Sequence, residues 1–434
     1  VRAERIHRLV DQGLNRPLDR LLHDRRRVGI AIWVACGLLT LLAVQRFWPM
    51  IDGAASGDIR YGEDFLTAVF GPNQLISEGV DPWSVSAAVP RFGSYPATPI
   101  IPSSYLAFPI LEPIGAAAAV TGWMLISLFI TVFGTRAVMR SLALPLDVSM
   151  LVALLVVVSP VSLYNIEQGQ TGAGLVAAVA FFAIRAHPEP RWWHRPEAWL
   201  YIGTIFFFFA KPTFALGFLA AELAYRRTAK LWAAFVAAIV VLGTISMFVI
   251  RARTGLSFGD LIESARSAGE LLGAAPVNRM DGDRLDVLSL FWPSPALDVV
   301  MLAVAVGAVV WVHRLRDTTL HERILLGTTA ATLLTYHHIY DTMPLLALTA
   351  ATAIIWGRWR GVVLGVALVV VGWIDDVNAL STAWQDLVGI DWFVLRSRLV
   401  FLLSFAVAAM VVIDHRRRTA NQLDRSPDRS GADQ

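Results

Sequence analysis

The chain has 434 residues, of which 56% are hydrophobic and only 16% charged. A soluble domain carries about 25% charged residues, so this composition excludes an ordinary soluble fold. The net charge of +3 and the single cysteine, Cys36, exclude an intrachain disulfide and a cysteine metal site but otherwise say little. The placement of the positive charges says much more. Apolar runs of about 16–22 residues approach the roughly 20 that cross a hydrocarbon core of about 30 Å. The short alternating segments of a β-barrel are missing. The expectation is an all-α polytopic membrane protein.

Residues 1–27 carry eight arginines, and Ile6, Leu9, Val10, Leu14, Leu18, Leu21 and Leu22 recur near helical spacing. This suits a basic amphipathic segment on an anionic leaflet, or equally a solvated basic tail. The stretch is too long for the basic region of a signal peptide, and no small-residue cleavage site follows, so the first apolar run is expected to be a retained span. That span runs from Val28 to Trp48, with Arg25, Arg26 and Arg27 before it. Positive-inside asymmetry then puts the N-terminus in the cytoplasm and residues 49–98 outside.

Within that loop, Gly57 to Tyr105 is the longest polar, irregular stretch of the chain, with Asp58, Glu63, Asp64, Glu78 and Asp81 among prolines, glycines and aromatics. Long loops with turn chemistry are where function concentrates. Pro99 to Leu111 is apolar but short and proline-rich, as a re-entrant or interfacial segment is. Spans are expected from Ile114 to Val138, Val148 to Tyr164 and Gly174 to Ile184, with NIEQGQTG as an external turn between the last two. Trp199 to Tyr225 has arginines at both ends and Lys211-Pro212 in its middle, which predicts a broken hairpin. Leu231 to Ile250 leads to a second external loop, 251–294, in which Phe258 to Leu272 has the spacing of a surface helix. Five further spans are expected: Ala296 to His313, Arg323 to Tyr336, Tyr340 to Trp356, Val362 to Ile374 and Leu395 to Val412. The tail 416–434 reads as disordered. The result is a membrane domain over 28–415 with about twelve segments and both termini cytoplasmic.

Ionisable residues inside or at the edge of spans are costly and therefore functional candidates. Three such features fall on the expected external face: the acidic loop with Asp58 and Asp64, Lys211 at the helix break, and Tyr336 to Asp341, which contains His337, His338 and Tyr340. A carboxylate at the membrane surface can act as a general base on a hydroxyl. A lysine or histidine can hold a phosphate and stabilise it as a leaving group. Each residue also has a plainer reading. Asp58 or Asp64 would cap a helix, and the two histidines would be turn residues at headgroup depth. Gln168 and Gln170 would bind sugar hydroxyls or cap the external turn. Gly79-Val80-Asp81-Pro82-Trp83 is a turn in which Trp83 anchors at the interface or stacks on a sugar. His337, His338 and Asp341 are potential metal ligands, but adjacent histidines on a helix point in different directions, which argues against a metal.

These residues resemble the motifs of the polyprenyl-phosphate-sugar-dependent GT-C glycosyltransferases, most closely glycosyltransferase family 87. The resemblance rests on Asp64-Phe65, Gly79 to Trp83, Tyr95-Pro96-Ala97, Gly169-Gln170, Lys211-Pro212 and the run from Tyr336 to Asp341, six motifs in the family's order. Ala97 stands where the family carries a second proline. The resemblance implies a GT-C-type bundle, active on the outer face of the plasma membrane. It implies transfer of a sugar from a polyprenyl-phosphate donor to a hydroxyl of a cell-envelope glycolipid or lipoglycan, with inversion. Mannose is the first expectation and arabinofuranose the second. Asp64 would be the base, with Asp58 as the alternative. Lys211, His338 and His337 would bind the donor phosphate, and Gln170, Asp81, Trp83, Tyr95 and Tyr340 the sugar or acceptor. No metal, other cofactor or nucleic acid is called for, and the partners are the donor, the acceptor and membrane lipids. A lipid flippase or transporter is the reading of another class. It predicts paired repeats with mid-membrane polar groups, which the sequence does not show.

Overall fold

The computed structural model describes residues 25–58, 60–92, 102–185, 191–208, 226–274, 319–334, 339–356, 359–373 and 392–423. Lys211, Tyr95, His337, His338, the span expected over 296–313 and nearly all of the N-terminal basic segment lie outside these residues. Among the described residues every regular element is helical.

The first span, α1 (Arg25–Ala55), runs through Pro49 and continues seven residues past Trp48. The span is expected to end at Trp48, yet the helix runs on through the proline, which membrane helices tolerate where neighbours re-satisfy the backbone. One face of α1 exposes Ile30, Trp33, Val34, Leu38, Leu41, Val44 and Trp48 at helical spacing. That apolar face suits lipid. The stretch after α1 is less irregular than its composition suggests. It forms α2 (Glu63–Phe65), a π-helical turn over Leu66–Phe70, α3 (Gly71–Ser77) and α4 (Val85–Phe92). A 3-10 turn, Pro102–Ala107, and the four-residue α5 (Phe108–Leu111) follow. Both are far too short to cross a membrane, as expected of this segment.

The second long apolar helix is α6 (Ala116–Ser141). The next expected span is two helices, α7 (Leu146–Val158) and α8 (Pro160–Glu167), bent by 59° at Ser159. Ser159 and Pro160 explain the bend. The Ser159 side chain accepts from the Ser162 N–H, and proline at the first helical position needs no partner for a missing N–H. Next comes α9 (Gly172–Arg185), buried on every side from Gly172 to Ile184. A helix apolar all round belongs at the centre. The principal core forms around it from α6, from α10 (Pro196–Phe208), from α13 (Leu320–Leu334) and from α14 (Ile339–Ile355).

Among the described residues, α11 (Arg226–Thr254) and α12 (Phe258–Ala274) lie between α10 and α13. They meet at 104°. The helix expected over Phe258 to Leu272 is thus present, turned sharply away from the helix before it. The last elements, α15 (Trp359–Trp373) and α16 (Trp392–Leu423), complete a second core with α13 and α14. Among the described residues two helices are long and apolar enough to span, or up to four if each bent pair is counted as one span. Twelve crossings remain an expectation of the sequence.

Candidate active site

Two turns that are far apart in sequence meet at Asp64. One is the turn into α2. Gly62 sits in the left-handed region at φ 76° and starts the helix. The other follows α8. Gly62 N–H donates to the Glu167 carbonyl at 2.7 Å, and Asp64 N–H donates to the Gln168 carbonyl at 3.0 Å. The side chains then join directly, because Gln170 Nε2 donates to Asp64 Oδ2. Gln170 is buried, and its own N–H donates to the Asn165 carbonyl at 2.9 Å.

Gly169 makes this approach possible. It lies at φ 71°, and a methyl group there would stand 2.9 Å from Phe65 Cβ and 3.0 Å from Gly62 Cα. Only a residue without a side chain fits between the turns. Trp123 of α6 closes the arrangement from below. Its Nε1 donates to the Gly169 carbonyl at 2.9 Å, and its ring lies 4.5 Å from that of Phe65. Such an aromatic pair is worth about 1 kcal/mol beyond its buried area. Phe65, Trp123, Val120, Met124, Phe47 and Ile166 form one apolar cluster beneath the carboxylate.

Three local features aim the turns. The bend at Ser159 directs α8 so that its C-terminal turn reaches Gly62. Arg46, inside the apolar α1, donates from Nη1 to the Val158 carbonyl at 3.4 Å, where the helical ladder is broken. The π-helical turn begins one residue after Phe65. Insertions of this kind inside helices gather at functional sites.

Asp58 has a different setting. It is ion-paired with Arg60, whose Nη2 lies 2.6 Å from Oδ2 and whose N–H donates to Oδ1 at 3.1 Å. The side-chain hydrogen bond from the Arg60 guanidinium, with its N–H, holds the Asp58 carboxyl below its ordinary range. Asp81 accepts from Trp83 N–H at 3.0 Å and from the Ser264 hydroxyl of α12. It closes the turn and ties it to the surface helix. Trp83 is 3% exposed, with its ring 5.9 Å from that of Tyr105. It anchors this turn in a cluster with Phe108, Ile250 and Leu261. Tyr340 is in the first turn of α14. The structure therefore brings Asp64 and Gln170 together, and sets Asp58 and the Asp81–Trp83 pair in contacts of their own. Among the described residues no three His, Cys, Asp or Glu side chains converge as metal ligands would.

Sequence reasoning missed Arg46 and Trp123. A lone arginine within a long apolar run was the available signal for the first. Trp123 is one aromatic among many, and its role depends on a contact 46 residues away.

The buried Gly-Gln turn and the Asp-Phe turn, two separate motifs of the sequence, meet in the structure. The model of glycosyltransferase family 87 matches residues 99–336, more than half of the chain. The chain belongs to glycosyltransferase family 87. It is thereby a glycosyltransferase, and its apolar helices are those of a membrane protein. The family match covers Gly169, Gln170 and Lys211 and begins after Asp64. No curated protein and no solved structure matches the chain.

Proposed function

We propose that this family 87 enzyme transfers a sugar, mannose before arabinofuranose, from a polyprenyl-phosphate donor to a hydroxyl of a cell-envelope glycolipid or lipoglycan on the outer face of the plasma membrane. The contact between Gln170 and Asp64 carries the reading. It fixes a carboxylate by an amide donor and by backbone bonds over an apolar floor. A carboxylate so held can take a proton from a hydroxyl set against it.

In the proposed reaction Asp64 accepts the acceptor hydroxyl's proton. The hydroxyl oxygen bonds to the anomeric carbon from the face opposite the phosphate. The bond from that carbon to the phosphate oxygen breaks, inverting the centre, and polyprenyl phosphate leaves. Lys211, His338 and His337 are assigned to the departing phosphate, whose growing negative charge a fixed cation stabilises. Gln170 orients Asp64, and Tyr95 and Tyr340 are assigned to the sugar or acceptor. Asp58 is the less favoured base, because Arg60 occupies both of its oxygens. A groove of about 320 Å³ supports a lipid-linked donor. It is lined by Leu151, Leu155, Leu346, Ile354 and Leu368 and reaches Ser159, from which α8 leads toward Asp64 over about 12 Å.

The test is transfer of radiolabelled sugar in membranes containing the enzyme, supplied in turn with polyprenyl-phosphate mannose and polyprenyl-phosphate arabinose. Labelled glycolipid from the mannose donor alone is the expected result. Label from the arabinose donor alone would replace the sugar and keep the mechanism. Transfer from a nucleotide-linked sugar with neither lipid donor active would overturn the proposal.

A further inference from the structure

A polar cavity lies toward the other end of the helix that carries Trp123. From Trp123 to Arg140, α6 advances about 25 Å. There a cavity of about 360 Å³ opens between α6 and α10, with Arg136, Arg140 and Arg195 around it. Among the described lining residues one carboxylate, Glu197, stands beside the three arginines. Arg136 Nε is buried and has no hydrogen-bond partner among the described residues. The Tyr201 ring, itself buried, forms part of the wall. A buried guanidinium N–H without an acceptor, at the wall of a cavity lined by arginines, suits an anion.

The surroundings identify the source of that anion. Phe129, Phe133, Arg136 and Arg140 follow one another at four-, three- and four-residue steps, so they share one face of α6. The two phenylalanine rings lie 4.4 Å apart with their planes tilted by 38°, are exposed, and continue into exposed Leu125 and Ile126. The arginines thus cap an apolar strip. Trp193 and Trp199 are exposed beside the cavity, and Trp199 Nε1 donates to the Trp193 carbonyl at 2.8 Å. Exposed tryptophans at the end of a span mark headgroup depth. A free phosphate would use the arginines and leave the apolar strip idle. A phospholipid uses both.

We infer that this cavity binds the phosphate of an anionic phospholipid headgroup, with an acyl chain along Phe133 and Phe129, on the leaflet opposite Asp64. Basic pockets between helices hold anionic headgroups in this way. The site stands apart from the transfer chemistry and does not depend on the identity of the donor.

Native mass spectrometry of the full chain, released from detergent with equal amounts of phosphatidylglycerol and phosphatidylcholine, tests it. The expected result is preferential retention of phosphatidylglycerol, falling about fivefold for each of Arg136→Gln and Arg140→Gln. Glu197→Gln removes the opposing charge and should raise the preference. It therefore tests the site even where an arginine variant fails to fold. Arg91→Gln, at an exposed arginine paired with Glu78, should leave the preference unchanged. Equal retention of the two lipids, or a preference unmoved by Arg136→Gln and Glu197→Gln, would overturn the inference. So would displacement of the lipid by excess glycerol phosphate, which would make this a free-phosphate site.

Discussion

At Gly169 the lack of one methyl group lets two turns touch. Gly169→Ala would force the Asp64 and Gln170 turns apart and place alanine at φ 71°. We expect it to lower stability by about 2 kcal/mol, read as a fall in thermal midpoint in detergent, and to reduce transfer further than the loss of folded protein explains. Trp123→Phe keeps the ring against Phe65 and removes the N–H that holds the Gly169 carbonyl. Its cost should be smaller, about 1 kcal/mol. Asp58 behaves differently. Its folded pKa is depressed by Arg60. Its contribution is therefore present above the ordinary carboxylate value of about 3.9 and is lost as pH falls through the lower folded value. Thermal midpoints of Asp58→Asn and wild type should keep a constant offset at neutral pH and converge in acid. A gap that widened in acid would contradict the pairing.

Among the elements, close helix packing depends on small residues. A methyl group on Gly361 would stand 2.5 Å from the Ala353 carbonyl, and one on Gly365 2.5 Å from Ile354 Cγ1. These two glycines, four residues apart on α15, let it lie against α14 as close pairs of membrane helices do. Gly365→Val should separate the pair and cost about 1–3 kcal/mol, seen as a lower thermal midpoint with no change in donor choice. The far end of the bundle is tied by Glu322, which accepts from Thr319 N–H at 2.9 Å in a capping box and from Arg418 Nη2 at 2.5 Å. Arg418→Ala leaves a buried carboxylate with fewer donors. It should loosen α16 from α13 at a cost of roughly 1–3 kcal/mol, discounted for the partial exposure of the arginine. Faster amide exchange at the end of α13 would report it.

Across the whole molecule, what the sequence made legible is what local pattern encodes. Helices were evident from unbroken apolar runs, and the helix after Thr254 from its spacing. Asp64 and Gln170 stood out because each sits in a short motif beside a turn residue. Their mutual contact was not legible, since it spans more than a hundred residues and rests on backbone bonds between turns. The break at Ser159-Pro160 was hidden by apolar residues on both sides, which read as one span. The continuation of α1 through Pro49 to Ala55 was not legible, because an apolar run ending in an interfacial tryptophan reads as a complete span. The basic cavity escaped notice because Arg136 and Arg140 come from one stretch and Arg195 from another. In this family 87 enzyme the bend in α7–α8 delivers one turn, α6 supplies the floor, and the turn after α1 brings the carboxylate. The decisive measurement is transfer of radiolabelled sugar from the polyprenyl-phosphate donor by folded Asp64→Asn and Asp58→Asn enzymes. The account predicts a loss of at least about a hundredfold for Asp64→Asn, with Asp58→Asn near wild type. Wild-type transfer by Asp64→Asn would contradict it.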